Sequence, residues 1–119
     1  MDDRAFDEDR KELLEALPQQ GLALVMNPGC SLASSRNVDK LTKEYDYIYG
    51  AVGSHPDDAD HVDGKLLDQY RQMATHPKVL AIGEIGLDYK YENCPRDVQK
   101  DVFRRLMELS RETGYPVCI

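Results

Sequence analysis

Four short apolar runs, spaced about thirty residues apart with helix-like segments between them, constrain this chain more than any other feature. They are Leu22-Ala23-Leu24-Val25-Met26, Tyr47-Ile48-Tyr49-Gly50-Ala51-Val52, Val79-Leu80-Ala81-Ile82 and Tyr115-Pro116-Val117-Cys118-Ile119. Each is continuous rather than alternating, which is the pattern of a buried strand. The segments between them carry helical periodicity. Phe6, Leu13, Leu14 and Leu17 fall near one face of a helix from Phe6 to Leu17, closed by Pro18 and Gly21. Ser31 to Glu44 forms a second helix with serines available as caps. A third aligns Val62, Leu66, Tyr70 and Met73 and stops before Pro77. After a loop from Lys90 to Cys94, Pro95 suits a first helical turn, and Val98, Val102, Leu106 and Leu109 make one stripe. The resulting α-β-α-β-α-β-α-β order means parallel strands joined by right-handed crossovers. A closed (β/α)8 barrel needs about 250 residues, so 119 residues make roughly half of one. A small open doubly wound sheet fits the same periodicity.

Chemistry concentrates at Gly83-Glu84-Ile85-Gly86-Leu87-Asp88-Tyr89, directly after the third run. An unpaired carboxylate in an apolar interior costs several kcal/mol, so Glu84 is expected to be paired, protonated or bound to a cation. The plain alternative is a core acid bonded to a neighbouring lysine or arginine. The flanking glycines allow close backbone approach, and Asp88 follows at the strand's end. The C-terminal ends of parallel strands are where α/β barrels place their chemistry.

Composition narrows the classes. The net charge is −7 and no basic run occurs, which argues against broad electrostatic binding of nucleic acid. A nuclease that offsets phosphate charge with metal ions stays open. The three cysteines, Cys30, Cys94 and Cys118, form no zinc or redox motif, and their odd number points to a reduced, cytoplasmic protein. No apolar stretch reaches membrane-spanning length, and Met1-Asp2-Asp3 is no signal peptide.

Three blocks in register resemble the TatD family of metal-dependent hydrolases. They are Ala51-Val52-Gly53-Ser54-His55-Pro56, Ile82-Gly83-Glu84-Ile85-Gly86-Leu87-Asp88-Tyr89, and Arg96-x-x-Gln99-x-x-x-Phe103. The opening Asp3-Arg4-Ala5-Phe6-Asp7-Glu8-Asp9-Arg10 and the closing Pro116-Val117-Cys118-Ile119 are similar to that family too. The resemblance implies a (β/α)8 barrel holding one or two divalent ions, with hydrolysis of phosphodiesters, commonly as a deoxyribonuclease with DNA as substrate. It implies that Glu84 holds or bridges the metals. His55 matches the first histidine of the family's His-Pro-His loop, near the substrate phosphate, as a catalytic residue. Asp88 is implied to support the metal site without ligating it. Zinc, manganese and magnesium all suit such ligands.

Set against the family, the chain starts just past a His-x-His pair and stops just short of a further histidine. The expectation is a single incomplete domain over residues 1–119, covering barrel strands two to five. With most ligands absent, such a chain should hold metal weakly and turn over nothing. Two departures stand inside it: Asp57 replaces the second histidine of His-Pro-His, and Leu106 replaces a helical glutamine and reads as core. The competing reading is a non-catalytic half-barrel acting as an assembly or binding module, self-associating through exposed barrel edges. His61 and His76 read as surface residues. The acids at 57, 58 and 60 read as capping and solvated charge rather than a metal loop. Tyr89 and Tyr91 read as pocket wall or helix packing, and the cysteines as small buried or loop residues.

Overall fold

Helix boundaries follow local chemistry. In the computed structural model, which describes residues 1–91 and 93–119, Ser31 accepts a hydrogen bond from the Ser34 amide and opens helix α2 (Leu32–Glu44). Asp63 caps helix α3 (Gly64–Met73) in the same way, through the Leu66 amide. Helix α4 (Arg96–Thr113) starts directly after Pro95 and ends at Gly114, whose φ of 74° lets its amide turn back to the Ser110 carbonyl. Position 92, inside the expected Lys90–Cys94 loop, lies outside the described residues.

The N-terminal helix is shorter than the periodicity suggests. A 3-10 turn (Arg4–Phe6) precedes helix α1 (Arg10–Ala16). Arg10 causes the break. Its guanidinium donates to the carbonyls of Met1 and Asp3 and to the Asp7 carboxylate, folding residues 1–7 back over the start of α1.

The strands are β1 (Val25–Pro28), β2 (Ile48–Val52), β3 (Val79–Gly83) and β4 (Val117–Cys118), all parallel, in the spatial order β1-β2-β3-β4. A doubly wound sheet reverses its strand order at a switch point. This sheet does not, and its four strands curl as a half-barrel. The main core lies between the sheet and helices α3 and α4, where Val52, Val79 and Ile82 meet Leu66, Tyr70, Val102, Leu106 and Leu109. Leu106 is core, as expected. A second cluster of Leu14, Leu41 and Ile48 joins α1 and α2 to β2.

The first strand corrects an expectation. The apolar run from Leu22 predicts a buried strand, yet pairing begins only at Val25, and Leu24 is 64% exposed. β1 forms the sheet's edge, where Pro28, which has no N–H to give, is tolerated. In β3, Leu80 is exposed between buried Val79 and Ala81. The helices cover one face of the sheet and leave the other open there.

Candidate metal centre

The carboxyl ends of the strands are tied together by backbone hydrogen bonds. The Gly29 amide donates to Ala51, the His55 amide to the Cys30 carbonyl, the Glu84 amide to the Gly29 carbonyl at 2.7 Å, and the Ile85 amide to Cys118. One turn after β1 therefore positions the backbones of both His55 and Glu84. Such close approach needs glycine. A Cβ on Gly53 would sit 2.8 Å from the Gly83 carbonyl carbon, and one on Gly83 would sit 2.5 Å from the Cys118 oxygen. The Gly83–Glu84 peptide is cis.

This frame brings His55 and Glu84 together. His55 Nε2 lies 3.9 Å from Glu84 Oε1. The other ring nitrogen, Nδ1, accepts the Asp57 amide at 3.2 Å and caps the 3-10 turn Pro56–His61. In the neutral ring that bond assigns the proton to Nε2, the atom facing Glu84. His55 is thus poised to donate into the strand-end face.

Glu84 corrects the reading of a costly interior acid. It lies just past the last residue of β3 with its side chain 41% exposed, so its carboxylate reaches solvent. Among the described residues no lysine or arginine pairs with it, and its recorded partner is His55. The core-acid alternative fails on both counts. Asp88 is not brought to this pair. Its Oδ1 accepts the Lys90 amide at 2.8 Å and so shapes the loop after β3.

The donor set fits part of a divalent-metal site. Glu84 offers a carboxylate, while His55, with Nδ1 occupied by the Asp57 amide, presents an N–H rather than a ligand. Asp57 Oδ1, in the turn that His55 caps, is buried without a hydrogen-bond partner. Among the described residues no three such groups converge on one point. Protein zinc sites use three or four ligands, so this chain supplies a fraction of one.

The remaining histidines stand apart. His61 is exposed beside Asp58 and Asp60, and His76 packs at the opposite end of the strands against Thr42 and the Lys78 amide. Tyr89 lies under the Arg96 guanidinium and Tyr91 under Lys90. All three cysteines are free, with Cys94 buried and Cys30 exposed.

Several polar contacts near the site carry no signature in the sequence. Ser35 Oγ bridges the amide and carbonyl of Gly53. Ser54 Oγ pairs with the Tyr70 hydroxyl at 2.7 Å, fully buried, and burial pushes the Tyr70 phenol upward. Asp2 accepts from Ser34 Oγ and Asn27 Nδ2, while the same Ser34 oxygen receives the Cys30 amide. Gln99 is buried in the first turn of α4. The nearest thing to a signal is a polar residue at an apolar position of a helical stripe, as Tyr70 is in α3.

The sequence model of the family described as TatD related DNase matches residues 1–119, the whole chain. The chain belongs to the TatD family. It is 34% identical over 114 residues to the uncharacterized metal-dependent hydrolase YabD of Bacillus subtilis, covering 96% of this chain and 45% of that protein. It is 33% identical over 113 residues to the 3'-5' ssDNA/RNA exonuclease TatD of a Rahnella species, covering 94% and 43%. The crystal structure of YJJV, a TatD homolog from Escherichia coli, superposes with a TM-score of 0.85 at 26% identity, over 98% of this chain and 46% of that one. The chain therefore spans less than half the length of the relatives it matches. Among the described residues no helix is long and apolar enough to cross a membrane.

Proposed function

We propose that residues 1–119 form one part of a metal-dependent hydrolase domain that cleaves phosphodiester bonds of DNA, with Glu84 as a metal-holding carboxylate. The observation that carries this reading is the pairing of a half-exposed Glu84, free of any described basic partner, with His55 Nε2 at 3.9 Å on the strand-end face. One or two divalent ions would polarise the scissile phosphate and lower the pKa of a bound water toward neutrality. Zinc, manganese or magnesium would suit the donors present. The chain's own residues do the rest. Glu84 fixes cation position. His55, with its proton held on Nε2, donates to a phosphate oxygen or to the leaving group. Asp88 keeps the loop after β3 folded behind Glu84. The three free cysteines suit a reducing compartment, and we place the protein in the cytoplasm.

The donor count decides what the isolated chain does. With Glu84 as its one assigned metal-holding group, it should bind Mn2+ weakly and hydrolyse nothing. The direct test replaces the aligned segment of the Rahnella exonuclease with residues 1–119 and assays hydrolysis of single-stranded DNA with and without added metal. Metal-dependent cleavage that Glu84→Ala abolishes, with melting temperature retained, is the expected result. A folded chimera indifferent to Glu84→Ala would overturn the reading. Exposed Leu24 and Ile119 at the two sheet edges favour a second reading, a non-catalytic assembly module. That reading predicts a discrete oligomer of the 119-residue chain and a chimera without activity.

A further inference from the structure

The loop after β3 has one anchor that neither the proposed metal site nor the strand pairing accounts for. Between Glu84 and Pro95 the described chain has no helix or strand, so its backbone groups need other partners. At the strand end the Glu84 and Ile85 amides are held by Gly29 and Cys118. At the far side, beside the stacking of Arg96 on Tyr89, a buried side chain of α4 takes up the loop's backbone groups. Gln99, 1% exposed, accepts the Asp88 amide on Oε1 at 2.9 Å and donates from Nε2 to the Asp88 carbonyl at 2.9 Å and the Cys94 carbonyl at 2.8 Å. Both amide hydrogens are used, and the carboxamide pairs with Asp88 as a neighbouring strand would. Its own backbone amide makes the first bond of α4, to Pro95. The clamp therefore joins the loop to a rigid helix.

We infer that Gln99 is a positioning residue, whose carboxamide fixes the Glu84–Asp88 segment so that Glu84 reaches the strand-end face in the orientation metal holding requires. The inference rests on Glu84 being a metal-holding carboxylate. Pinned at Glu84 and Ile85 on one side and at Asp88 on the other, the segment fixes the backbone from which the Glu84 side chain reaches toward His55. No apolar residue can replace the clamp, because two carbonyls and an amide would lose their partners together. A glutamate would lose both donors and set a carboxylate against two carbonyl oxygens.

The test has two arms. In the 119-residue chain, hydrogen exchange followed by NMR should show the Asp88 amide protected, and Gln99→Met should raise its exchange to the rate of an open loop while α4 amides stay protected. In the chimera, Gln99→Met and Gln99→Glu should each weaken Mn2+ binding about 10- to 100-fold and lower kcat more than they change KM. Leu109→Ala, which loosens packing near the C-terminal end of α4, away from Gln99, supplies the comparison at matched melting temperature and should leave Mn2+ affinity within about twofold. Gln99 variants that bind Mn2+ within about twofold of the parent, while Glu84→Ala abolishes binding, would overturn the positioning role alone. Should Glu84→Ala leave Mn2+ binding intact, the metal-site reading falls and the inference falls with it.

Discussion

Replacing Gly53 by alanine probes the contact on which the strand-end face depends. The new Cβ would sit 2.8, 2.9 and 3.0 Å from the carbonyl carbon, Cα and nitrogen of Gly83, where ordinary contact begins at 3.4 Å. All three atoms are backbone of the neighbouring strand, so no side chain can swing aside. Relief requires β2 and β3 to part by about half an ångström, against the pairing of Ala51 with Ala81 and Val52 with Ile82. Overpacking of this kind costs about 1–3 kcal/mol. At about 4 °C per kcal/mol for a domain of this size, the melting temperature should fall by roughly 4–12 °C. Gly64→Ala is the internal control. Gly64 opens α3 and a Cβ there meets nothing within 4 Å, so alanine should be neutral or stabilising by up to about 1 kcal/mol. Thermal unfolding followed by circular dichroism separates the two. A Gly53→Ala protein melting within about one degree of the parent would refute the close-approach argument, as would two substitutions shifting the melt equally.

Tyr70→Phe strands Ser54 Oγ in the core and should cost about 1–2 kcal/mol in urea unfolding at neutral pH. Burial raises the Tyr70 phenol above its ordinary value of 10.0, so the unfolded chain releases that proton first. The associated stability is whole below pH 10 and drains as pH climbs through the folded value, and Tyr70→Phe should flatten that alkaline decline. Lys78 Nζ donates to the Thr42 and Tyr45 carbonyls at 2.5 Å, closing the C-terminus of α2, and Lys78→Met should lower stability by about 1–3 kcal/mol by chemical denaturation. Asp63→Ala removes the α3 cap at about 1 kcal/mol, and Asp63→Asn should recover most of it. The isolated chain should self-associate with rising concentration in sedimentation experiments, and Leu24→Lys on the β1 edge should shift it toward monomer. A monomer at every concentration would overturn the edge argument.

The fold was largely legible because its elements are locally consistent. Ser31 and Asp63 cap where a cap is needed, and the stripes of α3 and α4 share one period with the residues that are buried. What failed was set by distant contacts. Nothing near Phe6 announces that Arg10 will gather the carbonyls of Met1 and Asp3, and that gathering shortens α1. A continuous apolar run cannot reveal which face is covered, so Leu24 and Leu80 read as buried. The same blindness at a strand end made Glu84 look interior, when one residue past β3 is enough to let its carboxylate out. His55 and Glu84 follow different strands, and only the family resemblance brought them together in the sequence. Gln99 stood inside a recognised block, but its three loop bonds depend on a chain reversal that no periodicity encodes.

The charge distribution bears on how so acidic a chain could serve nucleic acid. Many of its acids are matched where they stand, on the helix exteriors: Lys11 with Glu15, Lys40 with Glu44, Lys43 with Asp39, Arg71 with Asp68 and Glu112, Arg111 with Glu108. Such exposed pairs contribute little to stability, but they neutralise the outer layer locally. The strand-end face is different. It gathers Glu84 and Asp57 around one imidazole, with Asp57 Oδ1 buried and unpartnered. A phosphodiester approaching that face alone would meet like charge, whereas a divalent cation would be drawn to it. On the proposed reading, a cation held at Glu84 would offset this charge and make the face receptive to phosphate. On this account nucleic-acid affinity should appear only with metal present, and removing Glu84 should abolish both together.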